Sequence, residues 1–310
     1  MGENGSIDLA IIGAGPSGIT AALYAKRKAL KVRIFDSEAL GGQTADAIWV
    51  ENYPGVKKIE GFQLMKLMAE HLKEFGVEVE EAAEITGVKK SNGGFELDIN
   101  QGEEKVQTKA IIICTGNKYK MLNVPGEKEL YGKGVSYCAT CDGPAYKGKT
   151  VAVVGAGNSG ANAALFFSDI CKKVYLIEFN EKAAFDQVYE KMVKEAKVEL
   201  MLNTQVTGIN GKGKASGIRA KDRSTGKVKE VPVDGVFIYI GMVPKNKLAQ
   251  KLGLEMNKRG YIEVDKNNAT SLEGVFAAGD ITGELAQTVV AAGSGAIAAT
   301  SVFEFIKGLK

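Results

Sequence analysis

The sequence holds 310 residues, 45% of them apolar and 25% charged, with a net charge of +3. That length gives room for two cores, and so small a charge surplus argues against nucleic acid or an acidic membrane as a partner. Four cysteines are too few to staple a chain of this size, no run of eighteen apolar residues stands out as a bilayer span, and the N-terminus carries neither a basic nor an apolar leader region.

Ile7 to Ile12 reads as a buried parallel strand, short, apolar and ended by glycine. The loop Gly13-Ala-Gly-Pro-Ser-Gly18 follows, then a helix from Ile19 to about Ala29, then a strand from Lys31 that closes on Asp36. This order is a dinucleotide fingerprint. Gly13 permits the tight turn, Gly15 lets the backbone approach a pyrophosphate, Gly18 allows helix and strand to pack closely, and Asp36 takes a ribose hydroxyl. The helix amides and dipole then face the phosphates. Gly41-Gly42-Gln43 suggests backbone laid against a flat ligand or a phosphate, and Asn52 to Gly55 is a turn. An amphipathic helix is expected from Gly61 to Phe75, with Phe62, Leu64, Leu67, Met68 and Leu72 as its apolar stripe. His71, the only histidine, lies on it with no neighbouring acid or thiol in sequence, and reads as structural.

Residues 77–113 are β-rich, with Ser91-Asn-Gly-Gly94 as a hairpin turn. Cys114 ends an apolar run and Cys171 follows a helical pattern, so both read as small buried hydrophobes. Residues 117–126 look like a crossing between domains. Then comes Ser136-Tyr-Cys-Ala-Thr-Cys-Asp-Gly-Pro144, in which Cys138 and Cys141 stand two residues apart and Asp142 follows directly. In a reducing, cytoplasmic setting such a pair is catalytic or metal-binding. Zinc wants four ligands, and one CxxC with a single distant histidine supplies too few.

The fingerprint then repeats. A strand from Lys149 to Val154, the loop Gly155-Ala-Gly-Asn-Ser-Gly160, a helix to Ile170 and a strand from Lys173 end on Glu178. Gly13 to Asp36 and Gly155 to Glu178 both span 23 positions, which puts Gly155, Gly157, Ser159 and Glu178 in the second set of phosphate and ribose positions. A β-rich stretch from Val198 to Val233 and a closing strand from Val236 to Gly241 echo the first half. The tail adds expected strands at Gly260 to Val264 and from Gly274, then Gly279-Asp280, then a small-residue helix from Gln287 to Ile306. Asp280 either meets the ribityl chain and polar edge of a flavin or caps that helix. The fold class expected is α/β, two Rossmann-like three-layer domains with the first discontinuous in sequence.

The order GxGxxG, Gly-Gly-Gln, Cys-Ala-Thr-Cys-Asp, GxGxxG, Gly-Val-Phe-Ala-Ala-Gly-Asp resembles the low-molecular-weight thioredoxin reductases, FAD-dependent pyridine nucleotide-disulfide oxidoreductases, over nearly the whole chain. The resemblance implies an FAD domain at 1–119 plus 244–310 and a pyridine-nucleotide-type domain at 120–243 that carries the dithiol. It implies a homodimer that reduces thioredoxin. FAD would be held by Gly13, Gly15, Ser17, Asp36, Gly42, Gln43, Asn52, Gly279, Asp280 and Gln287. Cys141 would be the thiol nearest the flavin, Cys138 the one that attacks thioredoxin's disulfide, and Asp142 the acid that manages the proton. An FAD-dependent dithiol oxidase on the same scaffold, forming disulfides in a small molecule, is the alternative.

One stretch departs from the family pattern. NADPH-using members carry a basic cluster after the second Rossmann strand, typically His-Arg-Arg and then another Arg. Here Glu178-Phe-Asn-Glu-Lys-Ala-Ala-Phe185 has no arginine, and Lys182 is its one cation. Glu178 is expected to repel a 2′-phosphate, at a cost on the order of 4 kcal/mol for unit charges ~4 Å apart at a surface dielectric. Three donors remain open: NADH with Glu178 on the ribose diol, a non-nicotinamide carrier such as reduced ferredoxin or a deazaflavin, or weakly bound NADPH.

Overall fold

The computed structural model describes residues 6–47, 50–196 and 198–309. The chain forms two compact units, Met1–Lys118 with Val243–Lys310 and Tyr119–Met242. Both are α/β, with parallel strands at their centres.

In the first unit the strands Val79–Glu80, Val32–Phe35, Ile7–Ile12 and Glu104–Ile113 pair side by side and parallel, and Val275–Ala277 joins the far half of Glu104–Ile113, also parallel. The hairpin Ile85–Ser91 and Gly94–Ile99 extends the sheet antiparallel, its turn at Ser91–Gly94 as the Asn-Gly-Gly stretch predicts. Glu104–Ile113 displays both environments along one strand. Its start alternates exposed and buried against the hairpin, whereas Ala110 to Ile113 are wholly buried between covered faces.

Helices Pro16–Arg27 and Thr288–Ile306 pack tightly on one another. A Cβ on Gly295 would fall 2.1 Å from the Ser17 carbonyl oxygen, so the small residues of Thr288–Ile306 are what allow the approach. This helix is long and apolar enough to cross a bilayer, with a mean hydropathy of 1.6. Its Ala298, Ala299 and Val302 lie in this unit's core, and Ala291, Ala292, Ser294, Gly295 and Ser301 are buried as well. Two expectations are corrected. Helix Gly61–Glu74 buries Leu64, Met65 and Leu72, while Phe62 and Leu67 stay more than half exposed, because the face turned inward lies one residue round from the expected stripe. Gly260 to Val264 forms no strand. Its backbone closes a tight turn, Asn257 N–H to the Tyr261 carbonyl at 2.9 Å, and only Ile262 bridges, to Met256.

The second unit sets Val198–Met201, Lys173–Ile177, Thr150–Val154, Gly235–Ile238 and Val135–Ser136 in one parallel sheet. Helix Asn158–Ile170 lies against it through Phe167 and a run of alanines. A three-stranded antiparallel sheet, Thr204–Gly211, Ala215–Asp222 and Val228–Pro232, contributes Val206, Ile209, Ile218, Ala220 and Val231 to a second core. In both units a glycine loop stands at the carboxyl end of a central parallel strand, where open α/β sheets place their ligands.

Candidate functional site

The first glycine loop is built by exclusion. Gly13 has φ +109°, and a Cβ there would sit 2.3 Å from the Cys114 carbonyl oxygen, so no other residue fits the turn. A Cβ on Gly18 would strike the Gly13 oxygen at 1.8 Å, whereas the space beside Gly15 is open. Helix Pro16–Arg27 starts at Gly15 with no side chain capping it, which leaves its first amides turned toward that open space. Asp36 completes the cradle: Oδ2 accepts the Ala14 N–H at 2.7 Å and Oδ1 the Glu38 N–H at 2.9 Å. Each oxygen keeps a lone pair for a ribose hydroxyl.

The other residues expected to hold a flavin gather around this cradle within the first unit. A Cβ on Gly42 would lie 3.8 Å from the Gly15 Cα. Gln43 Nε2 donates to the Asn117 carbonyl at 2.6 Å and also to Asn117 Oδ1. Asn52 Nδ2 donates to Gln287 Oε1 at 2.8 Å. Buried Ser17 backs onto Gly279, where a Cβ would come 2.7 Å from Ser17 Oγ. Asp280 follows, its carboxyl pushed up to about 6 by burial. It is not the cap of Thr288–Ile306; Gln287 holds that position, without a side-chain cap bond.

The second loop repeats the first almost bond for bond. Gly155 has φ +106° and faces the Tyr239 carbonyl, Gly157 looks into open space, and helix Asn158–Ile170 starts without a side-chain cap. Glu178 Oε2 accepts the Ala156 N–H at 2.8 Å, as Asp36 does that of Ala14. Two differences stand out. Glu178 is only 7% exposed, and its Oε1 accepts both the Asn180 backbone N–H at 3.0 Å and Asn180 Nδ2 at 2.8 Å. Ser159 is exposed on the first turn, and its neighbour Asn158 exchanges two hydrogen bonds with Asp186.

Lys182 is the one cation that spacing puts near Glu178, yet the fold brings another. Arg223, in the turn after strand Ala215–Asp222, lies flat on Phe179 with its guanidinium carbon 3.8 Å from the ring centroid. Its Nη1 donates to the Phe179 carbonyl at 2.9 Å and to Asn203 Oδ1 at 3.2 Å. The partners are 44 positions apart, so no local pattern announces the contact.

Cys138 and Cys141 are joined by a disulfide. Between them runs one helical turn, Ala139–Asp142, capped by Cys138, whose Sγ accepts the Cys141 N–H at 3.2 Å. Thr140 Oγ1 lies 3.4 Å from the same sulfur. Ser136 Oγ accepts the Cys138 N–H at 3.0 Å and donates to Asp142 Oδ2 at 2.6 Å. Asp142 Oδ1 is buried and meets no hydrogen-bond partner among the described residues. Burial pushes the Asp142 carboxyl up, and the Ser136 bond pulls it partly back. The Tyr239 hydroxyl, which spacing did not single out, accepts the Ala139 N–H at 2.7 Å and so ties the dithiol turn to the strand beside the second glycine loop.

A family model for pyridine nucleotide-disulphide oxidoreductases matches residues 7–295. A thioredoxin reductase of Bacillus subtilis is 40% identical over 314 residues, taking in 100% of this chain and 98% of the relative. The crystal structure of a thioredoxin reductase from Streptococcus pyogenes is similar with a TM-score of 0.90 at 34% identity, over 99% of this chain and 100% of that one. A ferredoxin-flavin thioredoxin reductase from Clostridium acetobutylicum is 35% identical with a TM-score of 0.54, over 98% and 99% of the two chains.

Proposed function

The chain belongs to the pyridine nucleotide-disulphide oxidoreductase family and is a flavin oxidoreductase, and on that premise we propose that it reduces the disulfide of thioredoxin through FAD and the Cys138–Cys141 pair. The observation that carries this reading is the redox pair itself, closed as a disulfide on a turn with a half-buried acid beside it.

The first unit fits FAD. Open space at Gly15, uncapped helix amides and the spare acceptors of Asp36 suit a pyrophosphate and an adenosine ribose. Gly42, Gln43, Asn52, Gly279, Asp280 and Gln287 would hold the rest. When bound, FAD supplies the electron pair that opens the Cys138–Cys141 disulfide.

The remaining steps belong to this chain. Cys138, as a thiolate, attacks one sulfur of oxidised thioredoxin; a mixed disulfide forms and the second thioredoxin sulfur leaves. The Cys141 N–H already aimed at Cys138 Sγ supports that assignment, since it can stabilise the anion. Asp142 gives the leaving sulfur a proton, and its raised pKa suits it to carry one. Cys141 then attacks Cys138 Sγ, releases reduced thioredoxin and restores the disulfide. Each cycle passes two electrons from donor to thioredoxin, and the two protons its thiols take up come from the donor's hydride and solvent, or from solvent alone when the donor is an electron carrier.

The second loop supports a reduced adenine dinucleotide as donor, at Gly155, Gly157 and the helix that starts there. A carrier such as ferredoxin is the second reading, favoured by the absence of arginine from residues 179–185. We place the reaction in a reducing cytoplasm and assign it to a homodimer. Val289 and Ile297, exposed on helix Thr288–Ile306, support the dimer, and sedimentation checks it.

Purified protein is expected to be yellow and, once reduced anaerobically, to pass its electrons to oxidised thioredoxin. Cys141→Ser is expected to stop that transfer; a variant that transfers at the wild-type rate would sink the assignment. Titration with NADH, NADPH and dithionite plus ferredoxin identifies the donor by which one bleaches the flavin. Oxygen-dependent formation of a disulfide in a small dithiol, with no thioredoxin reduction, would instead establish the dithiol oxidase.

A further inference from the structure

We infer that Arg223 is the specificity-determining residue of the second glycine loop and grips a phosphate on the 2′ position of the donor's adenosine ribose. This role presupposes that the loop holds a dinucleotide and so rests on the reading above.

The acid that ends the second Rossmann strand is the usual partner of an unmodified ribose diol. Glu178 is poorly placed for that task. Its Oε1 already receives two donors from Asn180 and its Oε2 one from Ala156. A carboxylate oxygen has two lone pairs, so one acceptor site remains where a diol presents two hydroxyls. Asp36 in the first loop, with one donor on each oxygen, has two. The same bonds weaken the expected repulsion of a 2′-phosphate, because the Glu178 charge is offset by three N–H groups that belong to the protein.

The cation absent from residues 179–185 is supplied from elsewhere. Arg223 lies on Phe179, the residue directly after Glu178, and its orientation is fixed by the Phe179 carbonyl, Asn203 Oδ1 and the ring. Both of those hydrogen bonds use Nη1. The Nε and Nη2 hydrogens are left as a fork of the kind that meets phosphate with two bonds. Because the guanidinium is already held, little side-chain freedom is lost on binding. Its charged neighbours are accounted for: Asp222 Oδ1 is occupied by the Ser224 and Thr225 N–H groups, while Glu181 and Lys182 are exposed and opposite in sign.

The test is calorimetric titration of the flavin-loaded protein with 2′-phospho-ADP-ribose and with ADP-ribose. Wild type is expected to prefer the phosphorylated ligand by about tenfold or more, the scale of a charged hydrogen-bond pair. Arg223→Leu is expected to lose that preference while ADP-ribose affinity stays within about twofold, and Arg223→Lys, which keeps the charge without the fork, to retain part of it. Equal affinity of wild type for the two ligands would overturn the inference. So would an equal loss of both in Arg223→Leu, which would make Arg223 only a brace for its turn. If wild type takes neither ligand, the dinucleotide reading falls as well. Thioredoxin reduction by dithionite-reduced enzyme needs no dinucleotide, and it tests the reductase reading separately.

Discussion

Asp142→Asn should move stability and catalysis in opposite directions. The carboxyl is drawn from water, its Oδ2 takes one bond from Ser136 and its Oδ1 takes none. An unsatisfied buried acceptor costs about 1–3 kcal/mol, and ionisation makes that cost worse. The folded pKa therefore lies above the unfolded one, so the folded state binds the extra proton. The stabilisation that proton brings is complete below the unfolded pKa and is lost as pH rises through the folded value. Asparagine is neutral at every pH, so the variant should be more stable than wild type wherever Asp142 is ionised in the fold, and should gain little in acid. Thioredoxin reduction should fall instead. Removal of a positioned proton donor costs about 10²–10⁴ in rate, or about 3–5 kcal/mol of barrier. The assay is single-turnover: pre-reduced enzyme is mixed with oxidised thioredoxin across a pH series and the thioredoxin thiols are counted, with thermal unfolding followed in the same buffers. Wild type should lose rate as pH rises through the folded pKa of Asp142, and the variant should be slow and flat. A variant that is less stable at neutral pH and reduces thioredoxin at the wild-type rate would refute the reasoning.

Three other outcomes are expected. Gly13→Ala places a Cβ 2.3 Å from the Cys114 carbonyl oxygen at φ +109°; it should cost about 3 kcal/mol or more and leave the protein colourless, so a yellow protein with an unchanged Tm would contradict the assigned turn. Asp280 is pushed up to about 6, so flavin-free protein should lose stability as pH rises from the ordinary carboxylate range through about 6, and Asp280→Asn should recover at most ~3 kcal/mol at neutral pH while weakening flavin binding. Burial pushes the Cys114 thiol up to about 12 and Cys171 to about 11, so in the reduced, native protein a disulfide reagent should titrate Cys138 and Cys141 quickly and Cys114 only after unfolding.

What could be read from the amino-acid order was whatever repeats at short range. Strand, glycine loop, helix, strand and acid fall within 23 positions twice over, and the backbone of both loops follows from where a Cβ cannot go. The hairpin at Ser91–Gly94 was legible for the same reason. Local sequence misleads where long-range packing chooses between local options. Met65 rather than Leu67 faces inward on its helix, because the neighbouring sheet and helix, not the periodicity, set the buried face. Residues 260–264 look like a strand but have no ladder to join. Arg223 and Tyr239 act through partners 44 and 100 positions away, and nothing in the spacing of either residue marks it. The orientation of Glu178 was hidden too: its type was plain, but the two bonds from Asn180 that occupy it are a matter of folded geometry.

The split of the first unit across the sequence has a consequence for how the molecule is made. A ribosome delivers the first glycine loop early, yet the strand Val275–Ala277 that flanks its sheet and the helix Thr288–Ile306 that covers its first helix are translated only after the whole second unit. Residues 119–242 are contiguous and can complete their own sheet as they emerge. The early segment must wait, with Leu9, Ile11 and the alanines of Pro16–Arg27 uncovered, and a nascent chain stalled before residue 275 would expose them to chaperones and to its own kind. Flavin capture is then the closing event of biosynthesis rather than its first, and yellow colour marks a chain whose last helix has docked.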